Sequence, residues 1–169
     1  ESRRRLESVG LKNVHIDSAG NVIAIRPGTG KGPTVLLAGH LDTVFPEGTD
    51  VKVTTAVTFM KGPGIGDDCR GLAVVLQVAK QVNNASVETL GTIYFVGNVG
   101  EEGPGNLRGV RHLFTKELEG KIDFFISIDG TGYGVTSRAV GSHRYRVTYK
   151  GSGGHSYGAF GTPNPIHAL

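Results

Sequence analysis

Three short apolar runs each lead into side chains that can bind a cation. Thr34 to Ala38 (TVLLA) leads to His40 and Asp42, Thr92 to Val96 (TIYFV) to Glu101 and Glu102, and Phe124 to Ile128 (FFISI) to Asp129. An apolar run without polar alternation is what a strand buried on both faces of a parallel sheet looks like. After the first run, Leu72, Val75, Leu76, Ala79 and Val82 recur at helical spacing, and Val110 to Leu118 predicts another helix. Strands alternating with helices define the α/β class, here a mostly parallel central sheet flanked by helices. Sites in such sheets gather beyond the carboxyl ends of the strands. His40, Asp42, Glu101, Glu102 and Asp129 are therefore expected along one edge.

The remaining segments fill in around this frame. Residues 1–9 look like the last turns of a helix ended by Gly10, and Val14 to Asp17 and Val22 to Arg26 read as two strands about an Ala-Gly-Asn turn. Gly62 to Gly66 (GPGIG) is a glycine loop. After Gly134 the texture changes: Tyr145, Val147 and Tyr149 alternate with polar residues, which predicts a strand with one wet face, and Pro163 to Leu169 looks like a helix start. Two domains are expected, 1–133 with the metal-capable groups and 134–169 opening a smaller α+β unit, with a hinge near Thr131 to Gly134. Both are expected to be incomplete, the chain starting at Glu1 within a longer protein.

A net charge of +3 with scattered Lys and Arg does not indicate a nucleic-acid partner. No apolar run approaches the ~20 residues of a membrane helix, so no membrane partner is expected. The single cysteine, Cys69, rules out an internal disulfide and a thiolate zinc cluster. It fits a reducing compartment, hence a cytoplasmic expectation, and a small core position beside Asp68.

Asp67 and Asp68 lie between the glycine loop and a helix start, where the helix dipole favours negative charge. One histidine and several carboxylates at one sheet edge repel one another unless a cation neutralises them. Imidazole with hard oxygen suits zinc, cobalt or manganese. His40 and Asp42 are two apart, so in an extended segment they point the same way, and the Asp42 carboxylate is expected to fix the His40 tautomer. Glu101 and Glu102 are adjacent, so one can bind metal while the other faces the reacting water. Singly, His-x-Asp is usually a surface pair, Glu-Glu a solvated face and Asp-Asp a helix cap. Their order and repeated strand-end placement carry the reading. His15, His112, His143 and His167 lack such a context and read as structural or exposed.

The segments Gly39-His40-Leu41-Asp42-Thr43-Val44, Gly62 to Asp68, Val99-Gly100-Glu101-Glu102-Gly103, Ile128-Asp129-Gly130 and Gly151-Ser152-Gly153-Gly154-His155-Ser156 resemble, in order, the motifs of the M20 metallopeptidases and amidohydrolases. That group includes carboxypeptidase G2-like enzymes, acylases, desuccinylases and dipeptidases. The resemblance implies two divalent metal ions, zinc first, with His40 and Asp129 on one, Glu102 on the other and Asp67 bridging. It implies Glu101 as general base, Asp42 orienting His40, and a cis Asp67–Asp68 peptide. It also implies a lid domain that dimerises, with His155 polarising the substrate carbonyl and Asn164 near a substrate-contacting position. The substrate would be a small peptide or an N-acyl amino acid. Where many members carry lysine and glycine after the paired aspartates, this chain has Cys69-Arg70-Gly71. The family's C-terminal histidine for the second metal falls outside this sequence, so the segment alone is expected to be inactive.

Two rivals stand beside this reading. An M28-type aminopeptidase would use a related site without the lid. A non-catalytic metal-binding protein that has kept the fold would not need Glu101. A phosphate-binding role for Gly62 to Gly66 is weaker, because no lysine follows as in a Walker loop.

Overall fold

The computed structural model describes residues 1–168. By its own contacts the chain divides into two compact units, Glu1–Gly132 and Tyr133–Leu169.

The first unit opens with helix α1 (Ser2–Ser8), which stops where Gly10 takes φ +86°. The hairpin β1 (His15–Ile16) and β2 (Val22–Arg26) follows, then β3 (Val35–His40). A small hairpin, β4 (Thr54–Thr55) with β5 (Met60–Lys61), forms its own two-stranded sheet. Helix α2 (Arg70–Asn84), β6 (Ile93–Asn98), α3 (Arg108–His112) and β7 (Phe124–Ser127) complete the unit. A wide turn over Leu113–Glu117 prolongs α3 to the length that the periodicity predicted.

The main sheet has the order β1-β2-β6-β3-β7. β3 runs parallel to both β6 and β7, and the β1–β2 hairpin joins antiparallel to β6. The parallel register, His40 opposite Asn98 and Ala38 opposite Ser127, brings three carboxyl ends to the same edge. Neighbouring residues alternate between the two faces, as strand geometry requires. Ala24 and Phe95 pack with Leu6, Val75 and Ala79 beneath α1 and α2. Ile23 and Val96 pack with Leu36, Leu113 and Leu118 on the α3 side. Ile23, Leu36, Phe95, Val96 and Leu113 are fully buried, each worth roughly 1.5–3 kcal/mol relative to exposure.

Two strand expectations are corrected. Phe124 to Ile128 is not buried on both faces: β7 lies at the sheet edge, paired among the described residues only with β3, and Phe124 is 58% exposed. Tyr145 to Tyr149 forms no strand, because no partner strand exists for it among the described residues of its unit. An extended segment without a ladder has nowhere to place its backbone groups except water. In the second unit His143 stacks on Tyr145, turns run from Ser156 to Gly161, and Pro165–Ala168 makes one tight turn. The expected helix start thus amounts to that turn, and Leu169 lies outside the described residues. Asn164 Oδ1 accepts the Ile166 N–H and caps the turn.

Candidate metal centre

β3 delivers His40 as its last residue, 3% exposed, at the edge where the parallel strands end. Its Nδ1 lies 2.8 Å from the backbone carbonyl of Asp42 and its Nε2 lies 2.7 Å from Asp67 Oδ1. A carbonyl only accepts, so Nδ1 carries a proton and Nε2 is the nitrogen turned toward the carboxylates. Burial alone would lower the His40 pKa, but the bonds to Asp67 and to the Asp42 carbonyl outweigh it and raise the net value.

Two groups of side chains meet at this ring. His40, Asp67 and Asp129 bring one ligand atom each within 4.8 Å of one another, and so do His40, Glu101 and Glu102. Asp67 and Glu102 also line one cavity of about 520 Å³ with Gly64 and Thr131. The second close group joins Glu102 to His40, where the resemblance paired Glu102 with Asp67. Glu101 is half-buried and its pKa is raised, first by burial, against the pull of His40, and then by the charges of Asp129, Glu102 and Asp67.

Asp42 does something different from what its spacing suggested. Its carboxylate lies 3.9 Å from His40 Nδ1, too far for a hydrogen bond. The carbonyl of the same residue holds the ring instead. The chain leaves β3 at His40, so the extended geometry behind the two-residue rule no longer applies at Asp42. The carboxylate turns to the loop after β6, where Oδ1 accepts the Gly100 and Glu101 N–H groups at 2.8 and 3.2 Å and Oδ2 accepts that of Glu102 at 3.0 Å. Burial raises the Asp42 pKa, but these bonds outweigh it and hold the carboxyl below its usual range. Asp42→Ala should therefore cost about 2 kcal/mol in denaturant unfolding, from three amides left without an acceptor. The His40 Nδ1–H should stay hydrogen-bonded by imidazole NMR. A freed imidazole at unchanged stability would return the orienting role to the carboxylate.

Asp68, grouped by sequence with Asp67 among the carboxylates of the sheet edge or as a helix-capping pair, is a buried anchor, 1% exposed. Oδ2 accepts the His40 N–H and Oδ1 accepts the Gly71 N–H, both at 2.9 Å, tying β3 to the start of α2. Burial pushes its pKa up to about 6. The chain turns there through a cis Asp67–Asp68 peptide, as the resemblance implied. Cys69 is exposed, not a core residue, because Asp68 takes the inward position at this bend. Asn98, buried at the end of β6 in register with His40, is a further polar group that the apolar run concealed.

The other expected residues lie apart. His15 sits 3.3 Å from Glu117, and His112 lies 3.2 Å from Ser18. His155 belongs to the second unit, where its Nδ1 faces the Tyr157 and Gly158 N–H groups at 3.3 and 3.4 Å.

The Peptidase family M28 model matches residues 21–157. The chain is 33% identical over 144 residues to carboxypeptidase G2 of Pseudomonas sp. strain RS-16, covering 81% of this chain and 34% of that protein. It is 37% identical over 150 residues to a putative LysW-lysine/LysW-ornithine hydrolase of Pyrococcus abyssi, covering 89% and 36%. It is 27% identical over 165 residues to a succinyl-diaminopimelate desuccinylase of Corynebacterium glutamicum, covering 97% and 44%. Among solved structures, a Staphylococcus aureus tripeptidase superposes with TM-score 0.61 at 28% identity, over 76% of this chain and 36% of that one. The fold is also that of aminopeptidase PepT from Bacillus cereus, with TM-score 0.62 at 24% identity over 78% and 37%. The chain spans about a third of the length of the first two curated relatives. With its strand-end acids gathered round His40, the chain belongs to the metallopeptidase and amidohydrolase group that joins Peptidase family M28 to the M20-type carboxypeptidase G2 and desuccinylase relatives.

Proposed function

We propose that the protein hydrolyses peptide or N-acyl amino-acid amide bonds, using two divalent metal ions and Glu101 as general base. The observation that carries this reading is the place of His40 in both acid groups, each with its ligand atoms within 4.8 Å. Imidazole nitrogen and carboxylate oxygen are the donors that zinc takes in hydrolytic sites, with cobalt and manganese close behind. The charges that push up the Glu101 pKa are the repulsion a cation relieves. His40, Asp67 and Asp129 would hold one ion, and Asp67 with Glu102 the other. When bound, the ions polarise the scissile carbonyl and acidify water.

The chain's own groups supply the rest. A carboxylate oxygen of Glu101 takes the proton of the attacking water and passes it to the leaving nitrogen. Asp42 holds the Glu101 backbone while this happens. His155 Nδ1 faces two N–H groups, which leaves its proton on Nε2, free to be donated to the substrate carbonyl oxygen. We assign the second unit the role of lid and homodimer contact in the whole protein. The match to the M28 model favours a second reading, an aminopeptidase, which differs in requiring a free substrate amine.

The test is metal content by elemental analysis, with hydrolysis of N-acyl amino acids and of free-amino dipeptides and tripeptides, on the full-length protein. Wild type should carry two ions per chain, and Glu102→Gln should lose one of them while keeping the ion on His40, Asp67 and Asp129. Hydrolysis of blocked substrates selects the amidohydrolase reading, and cleavage of free-amino peptides alone selects the aminopeptidase. Protein that takes up no divalent ion and hydrolyses neither class sinks both.

A further inference from the structure

The segment Val99–Glu102 carries the two glutamates and has no regular structure beyond a tight turn starting at Gly103. Its four consecutive backbone N–H groups nonetheless all have side-chain acceptors. Asp42 takes those of Gly100, Glu101 and Glu102. The fourth, from Val99, goes to Asn21 Oδ1 at 3.1 Å.

Asn21 is fully buried, and it begins the return of the β1–β2 hairpin on the far side of β6 from β3. Its Nδ2 donates to Asp17 Oδ2 at 2.6 Å and to the Gly109 carbonyl at 3.0 Å. Both are pure acceptors, so the amide NH₂ must face them and the amide oxygen must face Val99. Asp17 is itself fixed, since its Oδ1 accepts the N–H groups of Ala19, Gly20 and Asn21, each at 2.9 Å. The Gly109 N–H in turn donates to the Val99 carbonyl at 2.9 Å. A Cβ at Gly109 would lie 2.2 Å from Asn21 Oδ1 and 2.5 Å from the Val99 carbonyl oxygen, so α3 can approach this closely only with glycine there. Val99 is thus held at both its N–H and its C=O, two residues before Glu101.

We propose that Asn21, oriented by Asp17, is a positioning residue that fixes the entry of the Glu101–Glu102 segment and thereby the aim of Glu101 at the reacting water. This rests on the general-base reading of Glu101. A near-attack geometry is sensitive to displacements of about 1 Å. Without Asn21 the Val99 N–H loses its acceptor while the Gly109 N–H still holds the carbonyl, so the segment shifts at one end and Asp42 anchors the other, and the glutamates stay in the site and lose their alignment.

The test compares Asn21→Ala, Asn21→Asp and the double variant Asn21→Asp/Asp17→Asn in the metal-loaded full-length protein. Asn21→Asp keeps an oxygen toward Val99 but sets two carboxylates together, and adding Asp17→Asn restores a donor between the two positions. The expected result is a fall in kcat of about tenfold or more for both single variants, with KM within about twofold and metal content unchanged. The double variant should regain part of the loss, since a carboxylate oxygen at position 21 still faces the Gly109 carbonyl. Val14→Ala, a core truncation beside the same hairpin, serves as the stability control and should lower Tm without lowering kcat at a permissive temperature. Wild-type kcat in the single variants, or a kcat that falls only with the folded or metal-loaded fraction, overturns the proposal. If Asn21→Ala does not fold, the comparison of Asn21→Asp with its double variant decides. Glu101→Gln in the same assay separates the two readings. An active Glu101→Gln removes the base assignment, whereas active Asn21 variants beside an inactive Glu101→Gln remove only the positioning role.

Discussion

Glu101→Gln should lower turnover by about 10²–10⁴-fold, the usual contribution of a positioned general base, while both metal ions stay bound. Gln has the size of Glu and keeps an oxygen toward the site, but it cannot take a proton. Burial and three neighbouring carboxylates hold the Glu101 pKa above its ordinary value, and a stronger base serves proton abstraction near neutral pH. Asp68 is the rival on pKa alone, since it is pushed up to about 6. Geometry excludes it: Asp68 is 1% exposed and its two oxygens accept the His40 and Gly71 amides, so it faces neither water nor substrate. Asp68→Asn should therefore act on stability, through an amide NH₂ forced against a backbone N–H, and Glu101→Gln on kcat. The readouts are hydrolysis rate, metal content and denaturant unfolding for each variant. Wild-type turnover in fully loaded Glu101→Gln would remove Glu101 from the mechanism.

The strand ends were legible because an apolar run that stops at a polar residue marks both a buried strand and the place where it surfaces. That is why His40, Asp129 and the glutamate pair could be expected at one edge, and the register of β3 with β6 and β7 puts those ends together. What sequence missed depends on neighbours. Whether FFISI is buried depends on what lies beyond β7, and an apolar run does not carry that information. The period of two at Tyr145 to Tyr149 describes a face, whereas a strand also needs a partner. The Asp42 carboxylate was expected on His40 because direction was inferred from spacing past the end of β3, where the carbonyl of the same residue holds the ring. Asp67 and Asp68 are alike as letters; only burial makes one a ligand candidate and the other an anchor. Asn21 read as a turn residue, which it is, but its amide also reaches α3 and the loop after β6.

Gly71→Ala should destabilise the first unit by about 2 kcal/mol and weaken metal binding with it, although it lies on a helix where alanine is favoured. The two effects oppose each other. Alanine is worth about 1 kcal/mol over glycine inside a helix. Against that, a Cβ at Gly71 would sit 2.1 Å from Asp68 Oδ1 and 2.2 Å from the Ile128 carbonyl oxygen. Ile128 is backbone at the end of β7, where its N–H donates to the Ala38 carbonyl, so it cannot swing aside as a flexible side chain would. Overpacking of this kind costs roughly 1–3 kcal/mol and occasionally more, which exceeds the propensity gain. Relief has two routes. α2 can retreat from β7, opening the α2–sheet contact, or the Asp68 carboxylate can rotate and release the His40 N–H. The second route loosens the residue that both acid groups share, so metal affinity falls together with stability. Gly134→Ala, where an added Cβ meets nothing within 4 Å, is the control and should change stability by less than about 0.5 kcal/mol. Thermal and denaturant unfolding with metal titration on both variants decide the matter. A Gly71→Ala protein as stable as wild type would mean that the start of α2 does not rest on Asp68 as described.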